Sequence, residues 1–196
     1  RADTGEVAAV VRATRGRVDG LIVMAPDLDA ESFARDVPTA RPVVVLNCRL
    51  VSSRLDSISI DNYGGAFAMV RHLVGLGHRR IAFVRGPERN FEASERLRGF
   101  RDAVAAAGES AVELPGDFTE AAGAAAVGTA LAHHPRPSAL FAANDAMALG
   151  ALITLKAAGI AVPEGMALAG FDDIPVARYV SPALTTIAYA VVLLVA

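Results

Sequence analysis

Short apolar runs bounded by turn residues recur along this chain, and they limit its fold more than any other feature. Leu21-Ile22-Val23-Met24 follows Asp19-Gly20, and Val43-Val44-Val45-Leu46 follows Pro42. Ile81-Ala82-Phe83-Val84 is stopped by Gly86-Pro87. Ala139-Leu140-Phe141-Ala142 and Met166-Ala167-Leu168-Ala169 complete the set. A run that is apolar on both faces reads as a strand covered on both sides, the habit of parallel sheets. Stretches of helical period lie between them. Asp61 or Asn62 caps one that runs through Phe67, Val70 and Leu73 to Gly77. Ser94 caps a second, carrying Leu97, Phe100 and Val104 to Gly108. A third covers 121–132, and Asn144 or Asp145 opens a fourth that closes at Gly159. Residues 6–15 read as a helix ahead of the first strand. Strand alternating with helix predicts an α/β architecture built on parallel sheets flanked by helices.

Composition narrows the function. Apolar residues make up 53% of the chain and the net charge is −2, which excludes a disordered tail and a stand-alone nucleic-acid binder. Cys48 is the only cysteine, so no disulfide framework exists. No charged leader with an apolar core opens the sequence, which points to the cytoplasm. The apolar segment 188–196 is too short for a membrane span, which takes about 20 residues; it fits a strand.

The usual signatures of catalysis and metal binding do not occur. No Gly-x-Ser-x-Gly elbow, phosphate loop or dinucleotide fingerprint is present. His133 and His134 are adjacent, so their side chains diverge rather than converge on a metal. Asp172-Asp173 is the one notable carboxylate pair, and it reads more simply as turn chemistry than as an acid–base pair. Neither catalytic residue, metal nor cofactor is indicated. A chain of this class without catalytic motifs reads as a binder, and open parallel sheets bind at the carboxyl ends of their strands. That rule selects Asn47 and Arg49, Gly86, Asn144 and Asp145, and the segment 171–173. Amide, carboxylate and guanidinium groups together suit a ligand rich in hydroxyls, each of which donates and accepts. Phe91 and Phe171 are candidates for an apolar wall.

Several segments resemble one family. HLVGLGHRRIAFVRGP (72–87), SERLRGFRDAV (94–104), ALFAANDAMALGAL (139–152) and GFDDIPVARYVSPALTTI (170–187) are similar to the LacI/GalR family of bacterial transcriptional regulators, as is VDGLIV (18–23). The resemblance covers nearly the whole chain to Ile187. It implies two Rossmann-like subdomains of the periplasmic binding protein-like fold with a ligand cleft between them. It places the first subdomain at 1–87, incomplete at its start, and the second at 88–187, with 188–196 an apolar tail of unclear assignment. It implies a small effector (a sugar, sugar derivative or nucleobase), a homodimer, and operator DNA read by a helix-turn-helix domain absent from this sequence. Arg96, Asn144 and Asp172 match effector-contacting positions of the family. Asn47 and Arg49 fall in a region that contributes contacts, although VLNCRL departs from the commoner Asp-Arg pattern. Two other readings are a solute-binding protein of a sugar transporter, and an enzyme working through Asp172-Asp173.

Overall fold

The computed structural model describes residues 4–14, 16–24, 42–47, 55–188 and 191–194. Cys48 and Arg49 lie outside them. The described chain runs α1 (Thr4–Ala13), β1 (Leu21–Met24), β2 (Val43–Leu46), β3 (Asp56–Ile60), α2 (Asn62–Gly75), β4 (Arg80–Val84), α3 (Phe91–Ala107), β5 (Ser110–Leu114), α4 (Glu120–Ala132), β6 (Ala139–Ala142), α5 (Asp145–Ala157), β7 (Ala167–Ala169) and β8 (Val191–Leu194), with a 3-10 turn at Pro175–Arg178. The strands form two four-stranded sheets, ordered β1-β2-β3-β8 and β5-β4-β6-β7.

All five apolar runs are strands, and the α/β reading holds. The first compact unit takes 1–61, 89–92 and 190–196; the second takes 62–88 and 93–189. This corrects the boundary placed at 87. Strand β4 pairs in parallel with both β5 and β6, so it is central to the second sheet. The chain therefore changes unit at Asp61–Asn62, ahead of α2.

In the first unit β1, β2 and β3 are parallel, and β8 runs antiparallel on β3 with Ile60 opposite Val191. The apolar tail thus supplies a strand. Strand β1 departs from expectation. Its residues alternate, with Ile22 74% and Met24 64% exposed, so only one of its faces is covered among the described residues.

The second unit is packed throughout. Ile81, Phe83, Leu140, Phe141 and Met147 are buried, and Phe83 stacks on Phe100 with ring centroids 4.7 Å apart. Helices α2, α3 and α5 end alike: Gly77, Gly108 and Gly159 take positive φ. The next N–H in each case reaches back five residues, from His78 to Leu73, Glu109 to Val104 and Ile160 to Leu155. This left-handed cap closes the last carbonyls of each helix. Helices α4 and α5 touch backbone to backbone, because a Cβ on Gly123 or Gly150 would overlap the main chain of Met147 or Glu120.

The sheet order fixes where a site can form. From β4 the chain passes to β5 on one side, then crosses to β6 and β7 on the other. The strand order reverses between β4 and β6, and ligands bind open sheets at the carboxyl side of such a point.

Candidate functional site

Arg96 is the centre of the carboxyl end of the second sheet. Helix α3 leaves β4 and carries it back over the strand ends, where it is only 3% exposed. A guanidinium stays buried only when its donors find acceptors. The Arg96 Nε donates to Asn62 Oδ1 at 2.7 Å, and Nη1 donates to the carbonyl of Ala143. Nη1 also meets Asp172 Oδ1 at 3.0 Å. The guanidinium lies over the Phe171 ring, 4.0 Å from its centroid, with the Phe118 ring 5.7 Å away.

Asp172 sits after β7 with φ at 116°, and Asp173 follows with φ at 49°. Non-glycine residues held there store about 1–3 kcal/mol of strain each. The segment 181–187 holds them in place. Gly170 donates to the carbonyl of Thr185 at 2.8 Å and Asp172 to that of Ile187 at 3.0 Å. The Asp173 N–H donates to the Thr186 hydroxyl at 3.2 Å. The GFDD and SPALTTI motifs are therefore one clamped unit.

Asp145 ties that unit to α5. Its Oδ1 accepts from the Thr186 hydroxyl at 2.6 Å and its Oδ2 from the Ile174 N–H at 3.0 Å, while its own N–H donates to the carbonyl of Phe171 at 2.8 Å. Burial raises its pKa above the ordinary aspartate range, against the pull of those hydrogen bonds. Asp173 is occupied by Arg178 at 2.7 Å. The carboxylate pair thus divides into Asp172, beside Arg96, and Asp173, which holds a surface turn.

Asn144 caps α5: its Oδ1 accepts from the Met147 N–H at 3.0 Å. Its Nδ2 donates to the carbonyl of Phe118 at 3.1 Å. One N–H and one lone pair are left over by these bonds, so capping α5 does not exhaust the side chain's hydrogen-bonding capacity.

The structure brings Arg96, Asn144, Asp172 and Phe171 to one strand end. Phe171 is not a wall there. It is fully buried, with one face under Arg96 and its edge against Gly65. The half-buried aromatic ring at this end is Phe118, which sequence reading missed; it follows β5 and holds φ at 72°. Asn62 was also missed as a partner for Arg96. The sequence offers it as a helix cap, and a buried amide reveals its donor partner only in three dimensions. Phe91, five residues before Arg96, projects about 140° away from it around the helix axis. Asn47 ends β2 in the first unit, where its N–H donates to the carbonyl of Ile58 at 3.0 Å and φ is 54°. Among the described residues no cluster of three His, Cys, Asp or Glu can hold a metal.

A family model described as a periplasmic binding protein-like domain matches residues 70–195. A sugar-binding transcriptional regulator of the LacI family from Escherichia coli, solved with phosphate, superposes with a TM-score of 0.84 at 32% identity over 94% of this chain and 68% of that one. The chain belongs to the LacI/GalR family. Its curated relatives include the HTH-type transcriptional regulator CelR of Thermobifida fusca, 36% identical over 87% of this chain and 52% of that protein. The HTH-type transcriptional repressor PurR of Aliivibrio fischeri is 37% identical, with the same coverage of 87% and 52%. The LacI/GalR chain described here spans about half the length of these curated relatives. These relatives are named as regulators of transcription rather than as enzymes, and no helix among the described residues is long and apolar enough to cross a membrane.

Proposed function

We propose that this chain is the effector-binding core of a cytoplasmic transcriptional regulator, not an enzyme. A small polar effector (a sugar, a sugar derivative or a nucleobase) binds at the carboxyl end of the second sheet. Its occupancy changes affinity for operator DNA, read by a helix-turn-helix domain of the homodimeric whole protein. The observation that carries this reading is the buried Arg96 facing Asp172 at 3.0 Å. The donor fork on helix α3 faces a carboxylate on a strained loop, beside the capping Asn144 and the ring of Phe118. That set supplies donors, acceptors and one apolar face, which a sugar or base needs. The names of the relatives favour a regulator over a transporter's solute-binding protein. Coupling between such a site and DNA is worth typically 1–3 kcal/mol.

A thermal-shift screen against sugars, sugar phosphates and nucleosides tests the reading. A true effector at 100 times its Kd adds about 2.7 kcal/mol of stability. Asp172→Ala is expected to weaken that ligand at least tenfold by calorimetry. Unchanged affinity removes Asp172 from the site, and turnover of a bound sugar by the purified chain moves the reading to an enzyme.

A further inference from the structure

The other end of the same sheet holds a pair of arginines with no role in the effector reading. Arg80 opens β4, and Arg136 stands just ahead of β6, its neighbour in the sheet. The Arg80 Nε donates to the main-chain carbonyl of Arg136 at 3.2 Å. Nη2 of Arg136 donates to the carbonyl of Gly165 at 3.5 Å, ahead of β7. Each side chain thus steps one strand along the amino edge in the same direction. Neighbouring strands are about 4.8 Å apart, and the two carbonyls that anchor these side chains stand ahead of neighbouring strands.

Neither arginine meets a carboxylate among the described residues. Glu109, one acid on this edge, is taken by Arg79 at 2.6 Å. Glu164 is exposed beside Gly165 and forms no ion pair among the described residues. The Arg136 Nε is buried with no hydrogen-bond acceptor among them. Like charges on one edge repel, and a buried charged donor without an acceptor forfeits its hydration. Main-chain carbonyls hold both side chains in place and use one N–H of each, of the five a guanidinium carries.

We propose that this edge is an anion site that takes a phosphate group between Arg80 and Arg136. Guanidinium forks match the oxygens of carboxylate and phosphate. A carboxylate has two oxygens and one charge, which one fork satisfies. A phosphate monoester has three free oxygens and about −1.5 to −2 charge near neutral pH, enough for two forks. The group comes either from free inorganic phosphate or from a phosphorylated metabolite.

The test is an amide NMR titration of the intact chain, first with inorganic phosphate and then with ribose 5-phosphate, at constant ionic strength. The site predicts saturable shifts at the amides of Arg136 and Ser138 and at amides 164–166. R80Q and R136Q should each weaken binding at least tenfold, and R79Q less than twofold. Tighter binding of the sugar phosphate assigns the site to a metabolite, and equal binding assigns it to free phosphate. The proposal is overturned by an absence of saturable shifts. It is also overturned by shifts confined to 143–145 and 171–173, or by shifts that survive both substitutions. Thermal melts check each variant, and the exposed Arg80 decides the matter if R136Q does not fold. Failure of the effector reading leaves this test standing, because the two sets of amides lie at opposite strand ends.

Discussion

The two ends of the second sheet use arginine in opposite ways. At the carboxyl end Arg96 is buried and surrounded by a carboxylate, an amide, a carbonyl and an aromatic face. At the amino end Arg80 and Arg136 are held, among the described residues, by carbonyls alone. The first arrangement is completed by the chain itself, at the expense of strained backbone at Asp172 and Asp173. The second has charge to spare. A buried charge earns its place only through the groups that answer it, so the carboxyl end should be sensitive to single changes and the amino end tolerant.

The largest expected effect tests that contrast. Arg96→Met removes the donor to Asn62 and Ala143 and leaves Asp172 without its cation. Breaking a buried pair from one side costs about 3–5 kcal/mol, read by urea denaturation, whereas Arg80→Met should cost under about 0.5 kcal/mol. Similar losses for both would erase the distinction between the ends. Next comes Asp172→Gly. It relieves a φ of 116° but leaves the buried Arg96 without its carboxylate, so it should destabilise the fold by less than Asp172→Ala does, while effector affinity falls at least tenfold. Equal losses of stability in the two variants would show that the loop is unstrained.

Two smaller effects concern pH, with opposite signs at the two ends. Burial raises the Asp145 pKa, so the folded chain holds its proton more tightly than the unfolded one. Its contribution to stability is present at pH below the ordinary aspartate range and is lost as pH rises through the folded value. Asp145→Asn should flatten that acid-side slope in chemical denaturation. At the amino end His78 Nδ1 lies 3.0 Å from the Ser138 hydroxyl, and burial lowers its pKa. Its contribution is present above the ordinary histidine range and is lost as pH falls through the lowered folded value. His78→Asn should remove the decline in stability below neutral pH. A slope that persists in either variant assigns it to another group.

Much of the architecture was legible because burial on both faces writes a strand as a plain apolar run. The strands that escaped notice are those for which this is untrue. Strand β3 reads Asp-Ser-Ile-Ser-Ile, alternating polar and apolar, and only Ser57 in it is buried. Strand β5 is an edge strand whose Glu113 is spent on Arg101 at 2.6 Å. The expected cap at Ser94 lies inside α3, which starts at Phe91, and Asn90 directly ahead of it is itself a favoured capping residue type. The site was half legible. Arg96, Asn144 and Asp172 came from their motifs, and they stand together. The strain at Asp172, the amide of Asn62 and the ring of Phe118 depend on contacts between distant segments, which no local pattern encodes. Phe171 misled for the same reason. Its position at a strand end suggested a wall, and its tertiary partner turned out to be Arg96.

The backbone contact between α4 and α5 has a consequence for how such a chain diversifies. Glycine is a poor helix former, about 1 kcal/mol worse than alanine, and both helices are otherwise rich in alanine. At Gly123 and Gly150 the neighbouring main chain occupies the space a methyl group needs, whereas Gly128 faces open space. Under mutational drift Gly128 is free to become alanine and gain helix stability. Gly123 and Gly150 are locked, because neither helix can change there without displacing the other. An inventory of tolerated substitutions across this pair would therefore separate glycines kept for closeness from one that is merely inherited.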